Sequence, residues 1–200
     1  MRFRTVGFAL PALLIGASLA AASPITFTET VIASGSLGSS SFTNSLVTLT
    51  ATGDTSNVFA KGPGWFWLEG VPISISVASL GTTASLTDVG VVGSCQPNSC
   101  PSSSSALGAF GDVTQDRDIL DTLSSAFNNY SLTTSIGPVT GTNLINPSTD
   151  FNTSKGVFEI TSAGNPTFTA AVGSATPEPS AVALFGLGLG AGLAFLKSRR

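Results

Sequence analysis

Residues 46–53 read LVTLTATG, and Val47, Leu49 and Ala51 alternate there with Thr48, Thr50 and Thr52. A period of two puts one kind of residue on each side of an extended chain, the pattern of a strand with one buried and one wet face. The same phase runs upstream in ITFTET (residues 25–30), with Ile25 and Phe27 against Thr26 and Thr28. It returns in PISISVAS (residues 72–79), where Ile73, Ile75 and Val77 face away from Ser74 and Ser76. TASLTDVGVV, LTTSIG, GVFEITS and PTFTAAV repeat it more loosely, with Gly, Ser, Asn and Pro clusters between them. About seven to nine short strands, each with one apolar face, predict an all-β body built as a β-sandwich or jelly roll.

One segment departs from this period. In DRDILDTLSSAFNNY (residues 116–130), Ile119, Leu120, Leu123 and Phe127 recur at helical spacing behind Asp116 or Asp118 as an N-cap. The spacing predicts one short helix there.

Charge and hydrophobicity are both unevenly placed along the 200 residues. Five of the eight basic residues (Arg2, Arg4, Lys197, Arg199 and Arg200) lie at the two ends. Residues 23–178 carry the other three against all eleven acidic residues, a net charge of −8. So acidic a body lacks the basic stripe that phosphates require, and nucleic acid is not an expected partner. There is no histidine. That removes the commonest general base, the commonest zinc ligand and every Ser-His-Asp or Cys-His arrangement. The chain is expected to be non-enzymatic and to need no cofactor.

The first 22 residues, MRFRTVGFALPALLIGASLAAA, have a basic start, an apolar stretch over residues 6–19, and Ala20, Ala21 and Ala22 before Ser23. These are the three parts of a secretory signal, with cleavage by signal peptidase expected between Ala22 and Ser23. At the other end, residues 180–196 carry no charge. About seventeen residues rising ~1.5 Å each reach roughly 25 Å, close to a hydrocarbon core of about 30 Å, and a transmembrane helix is predicted over residues 180–200 together with its basic tail. Lys197, Arg199 and Arg200 place that tail on the cytoplasmic side and the body outside. The expected organisation is therefore a signal peptide (1–22), a secreted all-β domain (23–172), a linker (173–179) and a membrane segment (180–200).

The linker ends in Pro177-Glu178-Pro179-Ser180, followed by a Leu/Gly-rich span from Leu184 to Leu196 and then Arg199-Arg200. In order and spacing these parts resemble the PEP-CTERM sorting signal of Gram-negative bacteria. The resemblance implies recognition by an integral-membrane exosortase and cutting near Pro177, Glu178 and Pro179. It implies an inner-membrane-anchored precursor, delivery to the cell surface or extracellular matrix, and a host that makes exopolysaccharide and forms biofilm or flocs. Thr176 stands where a small apolar residue is more usual. Two prolines around Glu178 neither continue a helix nor donate backbone hydrogen bonds, so they hold an extended segment accessible to a peptidase. The body is also similar, in ITFTET, GTTASLTD and YSLTTSIGPVTG, to that of other PEP-CTERM proteins; this similarity bears on architecture and brings no activity.

Three sets of residues are site candidates. Cys95 and Cys100 flank QPNS, and export favours a disulfide that pins this loop locally. Trp65 and Trp67, in KGPGWFWLEG, share one strand face by their i, i+2 spacing. They are expected either to form a flat platform for polysaccharide stacking or to point inward as core. Asp112, Asp116, Asp118 and Asp121 fall within ten residues and are candidate calcium ligands. Their spacing lacks the alternation of an EF-hand, so no metal is assigned, and the alternative is carboxylates at the N-terminus of the expected helix together with surface charge. The same acids with Glu69 or Glu159 form no ordered glycosidase pair.

Overall fold

The computed structural model describes residues 23–99, 105–144 and 150–174. In chain order its strands are β1 (Pro24–Leu37), β2 (Ser40–Asp54), β3 (Phe59–Gly62), β4 (Trp65–Glu69), β5 (Ile73–Val77), β6 (Thr82–Ser85) and β7 (Gly90–Cys95). They continue with β8 (Leu107–Asp112), β9 (Arg117–Leu123), β10 (Ile136–Thr140), β11 (Thr142–Asn143), β12 (Asp150–Thr153), β13 (Gly156–Ala163) and β14 (Thr167–Val172). Short 3-10 turns interrupt them, and among the described residues there is no α-helix. The described residues adopt the expected all-β class.

The strands form two antiparallel sheets. One runs β10-β14-β1-β2-β5-β6, with the β12–β13 hairpin pairing onto the far end of β1. The other runs β11-β9-β8-β7-β4-β3. β1 and β2 make the long central hairpin, turning through Gly38, whose φ of +59° suits a residue without a Cβ. Along β1 the inward positions are Ile25, Phe27, Glu29 and Val31, in strict alternation, and β2 answers with Val47, Leu49 and Ala51. The second sheet contributes Leu68, Val92, Phe110 and Leu120 to the same core. Two sheets thus enclose one apolar layer, the arrangement of a β-sandwich. Phe168 on β14 sits at the aromatic centre, with ring centroids of Phe127 at 5.3 Å, Phe27 at 6.1 Å and Phe110 at 6.2 Å. Tilted and edge-on contacts of this kind add to the burial of the rings themselves.

The predicted helix is corrected. Residues 117–123 are strand β9, and only Ser125–Phe127 coils, as one 3-10 turn whose Ala126 N–H donates to the Ser124 hydroxyl. The misleading spacing has two causes. The β8–β9 register shifts between Phe110 and Gly111, so that Phe110 faces Leu120 while Gly111 faces Asp118. Ile119 is the inserted residue, which buries two adjacent apolar side chains on one strand. Phe127 then enters the core from the turn, completing a pattern that only resembles a helical stripe. LTTSIG is also largely turn, with β10 starting at Ile136.

Candidate functional site

The second sheet has an outer face as well as a core face, and the pairing registers define it row by row. Trp67 lies opposite Gly93, Gly93 opposite Ala109, and Ala109 opposite Asp121. On one side of this row run Trp65, Cys95, Leu107 and Leu123; on the other run Glu69, Val91, Gly111 and Asp118. Directly paired residues share a face. The middle strands, β7 and β8, therefore offer Gly93, Ala109 and Gly111 where the flanking strands offer indoles and carboxylates. The result is a groove of about 240 Å³ with a small-residue floor.

Side chains from the flanking strands lean over two of these glycines, closely at Gly111 and at ordinary contact distance at Gly93. A Cβ at Gly93 would lie 3.4 Å from Trp67 Nε1 and 3.5 Å from its Cδ1, so the indole rests on the bare backbone. A Cβ at Gly111 would lie 3.0 Å from Asp118 Oδ1 and 2.9 Å from the Arg117 carbonyl. Each wall of the groove thus folds inward across a glycine.

Trp65 and Trp67 share a face, as their spacing requires, and it is this outer face. Phe66 takes the other side and packs on the core. The expected flat platform is not what forms, because the two rings meet edge to face, 5.4 Å between centroids at 89°. Together they make a corner. The Lys61 ammonium sits 3.0 Å from the Trp67 ring centroid and 5.2 Å from that of Trp65, a cation held against both aromatic faces. Trp67 is 9% exposed and Trp65 half-buried.

The four aspartates are dispersed rather than convergent. Asp112 ends β8 at 1% exposure; its Oδ1 accepts the N–H groups of Thr114 (2.7 Å) and Gln115 (3.4 Å), while Oδ2 has no partner. Asp116 occupies the β8–β9 turn with a φ of +52°. Asp118 is exposed as a residue but reaches over Gly111, where partial desolvation of its carboxyl, helped by the charge of Asp116, pushes it up to about 6. Asp121 is 6% exposed, its Oδ1 lacks a partner, and burial together with Asp118 holds its carboxyl well above the ordinary range. Among the described residues no three acidic or sulfur ligands are placed to hold a metal ion. Glu69 stands three strand spacings from Asp118 in its row, roughly 14 Å at the backbone. Glu159 lies on β13 in the other sheet.

A further carboxylate escaped the sequence reading. Glu29 follows Ile25 and Phe27 on the inward phase of β1 and is fully buried. Its Oε1 accepts the Thr122 hydroxyl and its Oε2 has no partner. Burial raises its carboxyl well above the ordinary value; Thr122 opposes this, and Asp121 and Asp118 add to it. The signal was present, since the alternation in ITFTET places Glu29 inside. β9 therefore has Thr122 and Glu29 on its core side and Asp121 on its groove side.

Cys95 ends β7, buried and not a free thiol, while Cys100 lies outside the described residues. Ser23 is the first described residue, so Ala22 and the expected signal segment lie outside them, as do Pro177, Glu178, Pro179 and the apolar run over 180–196. No helix among the described residues is long and apolar enough to cross a membrane.

The two-sheet body carries no family assignment of its own. The tail identifies the route: residues 175–200 match the PEP-CTERM protein-sorting motif. That motif implies processing by exosortase and a membrane-anchored precursor, in agreement with the resemblance read from Pro177 onward. No curated protein and no solved structure matches the chain.

Proposed function

We propose that this is a non-enzymatic surface or extracellular-matrix protein of a Gram-negative bacterium, secreted through its N-terminal signal and freed from the inner membrane near Pro177-Glu178-Pro179. The observation carrying this reading is the sorting-motif match over residues 175–200. The acidic, histidine-free body supports it, since such a body suits solubility outside the cell and lacks the usual catalytic bases. A Cys95–Cys100 disulfide suits the same compartment. Mass spectrometry of separated membrane and extracellular fractions from the host tests the proposal. A species beginning at Ser23 and ending near Glu178 outside the membrane is the expected result. A membrane-bound species retaining residues 180–200 would overturn release.

The groove on the second sheet favours a second reading, in which the body is a carbohydrate-binding or adhesive module of an exopolysaccharide matrix. Its support is the indole corner beside a small-residue trough rimmed with acceptors, which is how sugar rings are commonly held. Loss of polysaccharide retention on changing Trp65 and Trp67 together to Ala is expected; unchanged retention would remove this reading.

A further inference from the structure

We propose that Asn152 is a glycosylation site, which takes an oligosaccharide on its side-chain amide while the chain is being exported. The proposal rests on the export reading above and adds a covalent modification to it.

Three observations carry it. The first is the local sequence, Asp150-Phe151-Asn152-Thr153-Ser154. An asparagine followed two residues later by a hydroxyl, with no proline between, is the acceptor signal for N-linked sugar transfer in secreted proteins. Asp150 adds a carboxylate two residues ahead, a charged handle for the transferring enzyme beside the hydroxyl of Ser154. The second observation is the face these residues share. Strand β12 alternates, and Phe151 and Thr153 are the buried positions that hold it to the body. Asp150, Asn152 and Ser154 are all exposed. The three residues of the signal thus lie on one outer side, where a bulky group on Asn152 meets no core. The third is the amide itself. Its Nδ2 donates one hydrogen bond, to Asp88 Oδ2 at 3.0 Å. A primary amide has two N–H groups, so one is spare. Sugar in place of the spare proton leaves the Asp88 bond standing.

The transfer balances with a lipid-linked sugar diphosphate as donor. Asn152 Nδ2 attacks the anomeric carbon, and the bond from that carbon to the diphosphate oxygen breaks. The lipid diphosphate leaves with the electron pair, and the amide gives one proton to a base of the enzyme. In the folded domain Asp88 holds the amide, and the Ser154 hydroxyl accepts the Ser85 N–H at 3.0 Å. β12 also pairs along its length with β13, which follows it in the chain. Transfer therefore belongs to the exporting chain, before these contacts close, and the fold then carries the sugar outward.

Asn129-Tyr130-Ser131 has the shorter form of the same signal. Phe127 stands where the acid would be, and it and Tyr130 are buried against each other and Phe168. Acid and exposure together single out Asn152.

The test is peptide mass spectrometry of the protein from its host, in the membrane and extracellular fractions alike. The peptide spanning residues 150–154 is expected to carry the mass of an oligosaccharide, placed on Asn152 by electron-transfer fragmentation. Asn152→Gln and, separately, Ser154→Ala should abolish the added mass, and Asp150→Ala should lower the fraction modified. All three positions are exposed, so circular dichroism should match wild type. An unmodified peptide from a chain beginning at Ser23 would overturn the proposal and leave export standing. A chain still carrying residues 1–22 in the cytoplasm would overturn both. Sugar on a serine, a threonine or Asn129 instead, or sugar that survives Ser154→Ala, would overturn the assignment to Asn152.

Discussion

The Thr122 hydroxyl donates to Glu29 Oε1 across the core, joining β9 of one sheet to β1 of the other over 93 residues of sequence. It is a polar clasp inside an apolar layer, and half of the carboxyl it holds remains unpaired. Burial above all favours the protonated form of Glu29 in the folded protein.

Stability should fall as pH rises. Glu29, Asp121 and Asp118 all have folded-state values raised above the ordinary carboxylate range, Asp118 to about 6. The unfolded chain loses these protons first, so it is favoured as pH climbs from the ordinary carboxylate value toward each raised one. The melting temperature is expected to be higher near pH 5 than near pH 8. Glu29→Gln should raise it at pH 8 and flatten the profile, by about 2–4 °C for each ~1 kcal/mol recovered in a domain of this size. A wild-type melting temperature that climbs steadily from pH 5 to pH 8 would refute the assignment.

Thr122→Val keeps the shape of the side chain and removes the donor. Leaving Glu29 Oε1 without a partner should cost about 1–3 kcal/mol. Urea unfolding at pH 7 reads this directly, and a midpoint equal to wild type would mean the clasp is unimportant.

Gly93→Val should displace Trp67, because a Cβ there already touches the indole Nε1 at 3.4 Å and the two methyl groups beyond it need further room. A red shift of tryptophan emission with the β-sheet circular dichroism retained is the expected signature. An unshifted spectrum would contradict the packing of Trp67 on the floor strand.

Lys61→Ala removes the ammonium from both indoles. Its cost in stability should be small, about 0.5–1 kcal/mol, as for exposed cation–aromatic contacts. Its effect on sugar binding should be a gain, since the side chain competes for the same rings. Weaker sugar binding in this variant would show Lys61 to be part of the recognition surface instead.

Replacing Pro177 and Pro179 together with Ala should leave the precursor in the membrane fraction, because two prolines bar a helix around Glu178 and two alanines permit one. Fractionation and immunoblotting of wild type and variant check this; normal release would mean that the prolines are dispensable.

The half-buried strands were legible because their environment is two-sided. LVTLTATG and ITFTET lie in a sheet with one dry and one wet face, and period two follows. β8 and β9 were not legible for the opposite reason. LGAFGD is buried along its whole length, its glycines carrying no pattern, and the bulge at Ile119 breaks the period of its neighbour. The groove shared that fate. Trp65 and Trp67 could be assigned to one face from their spacing, but the inward lean of Trp67 depends on Gly93, 26 positions away, and on a register no local signal encodes. The aspartates looked like a cluster because they are near in sequence; the strand separates them, sending Asp118 and Asp121 to the outer face and leaving Asp116 in a turn.

The pairing of β1 with β14 sets the timing of the protein's biogenesis. Ile25 lies against Val172, and the Gly173 N–H closes onto the Pro24 carbonyl at 2.7 Å. The first strand to emerge on the far side of the membrane thus waits for the last. Until residues 167–172 have crossed, β1 lacks its β14 neighbour and Phe168 is missing from the centre of the core. The fold is completed only when residues 167–172 are in place, directly ahead of the sorting motif at residues 175–200.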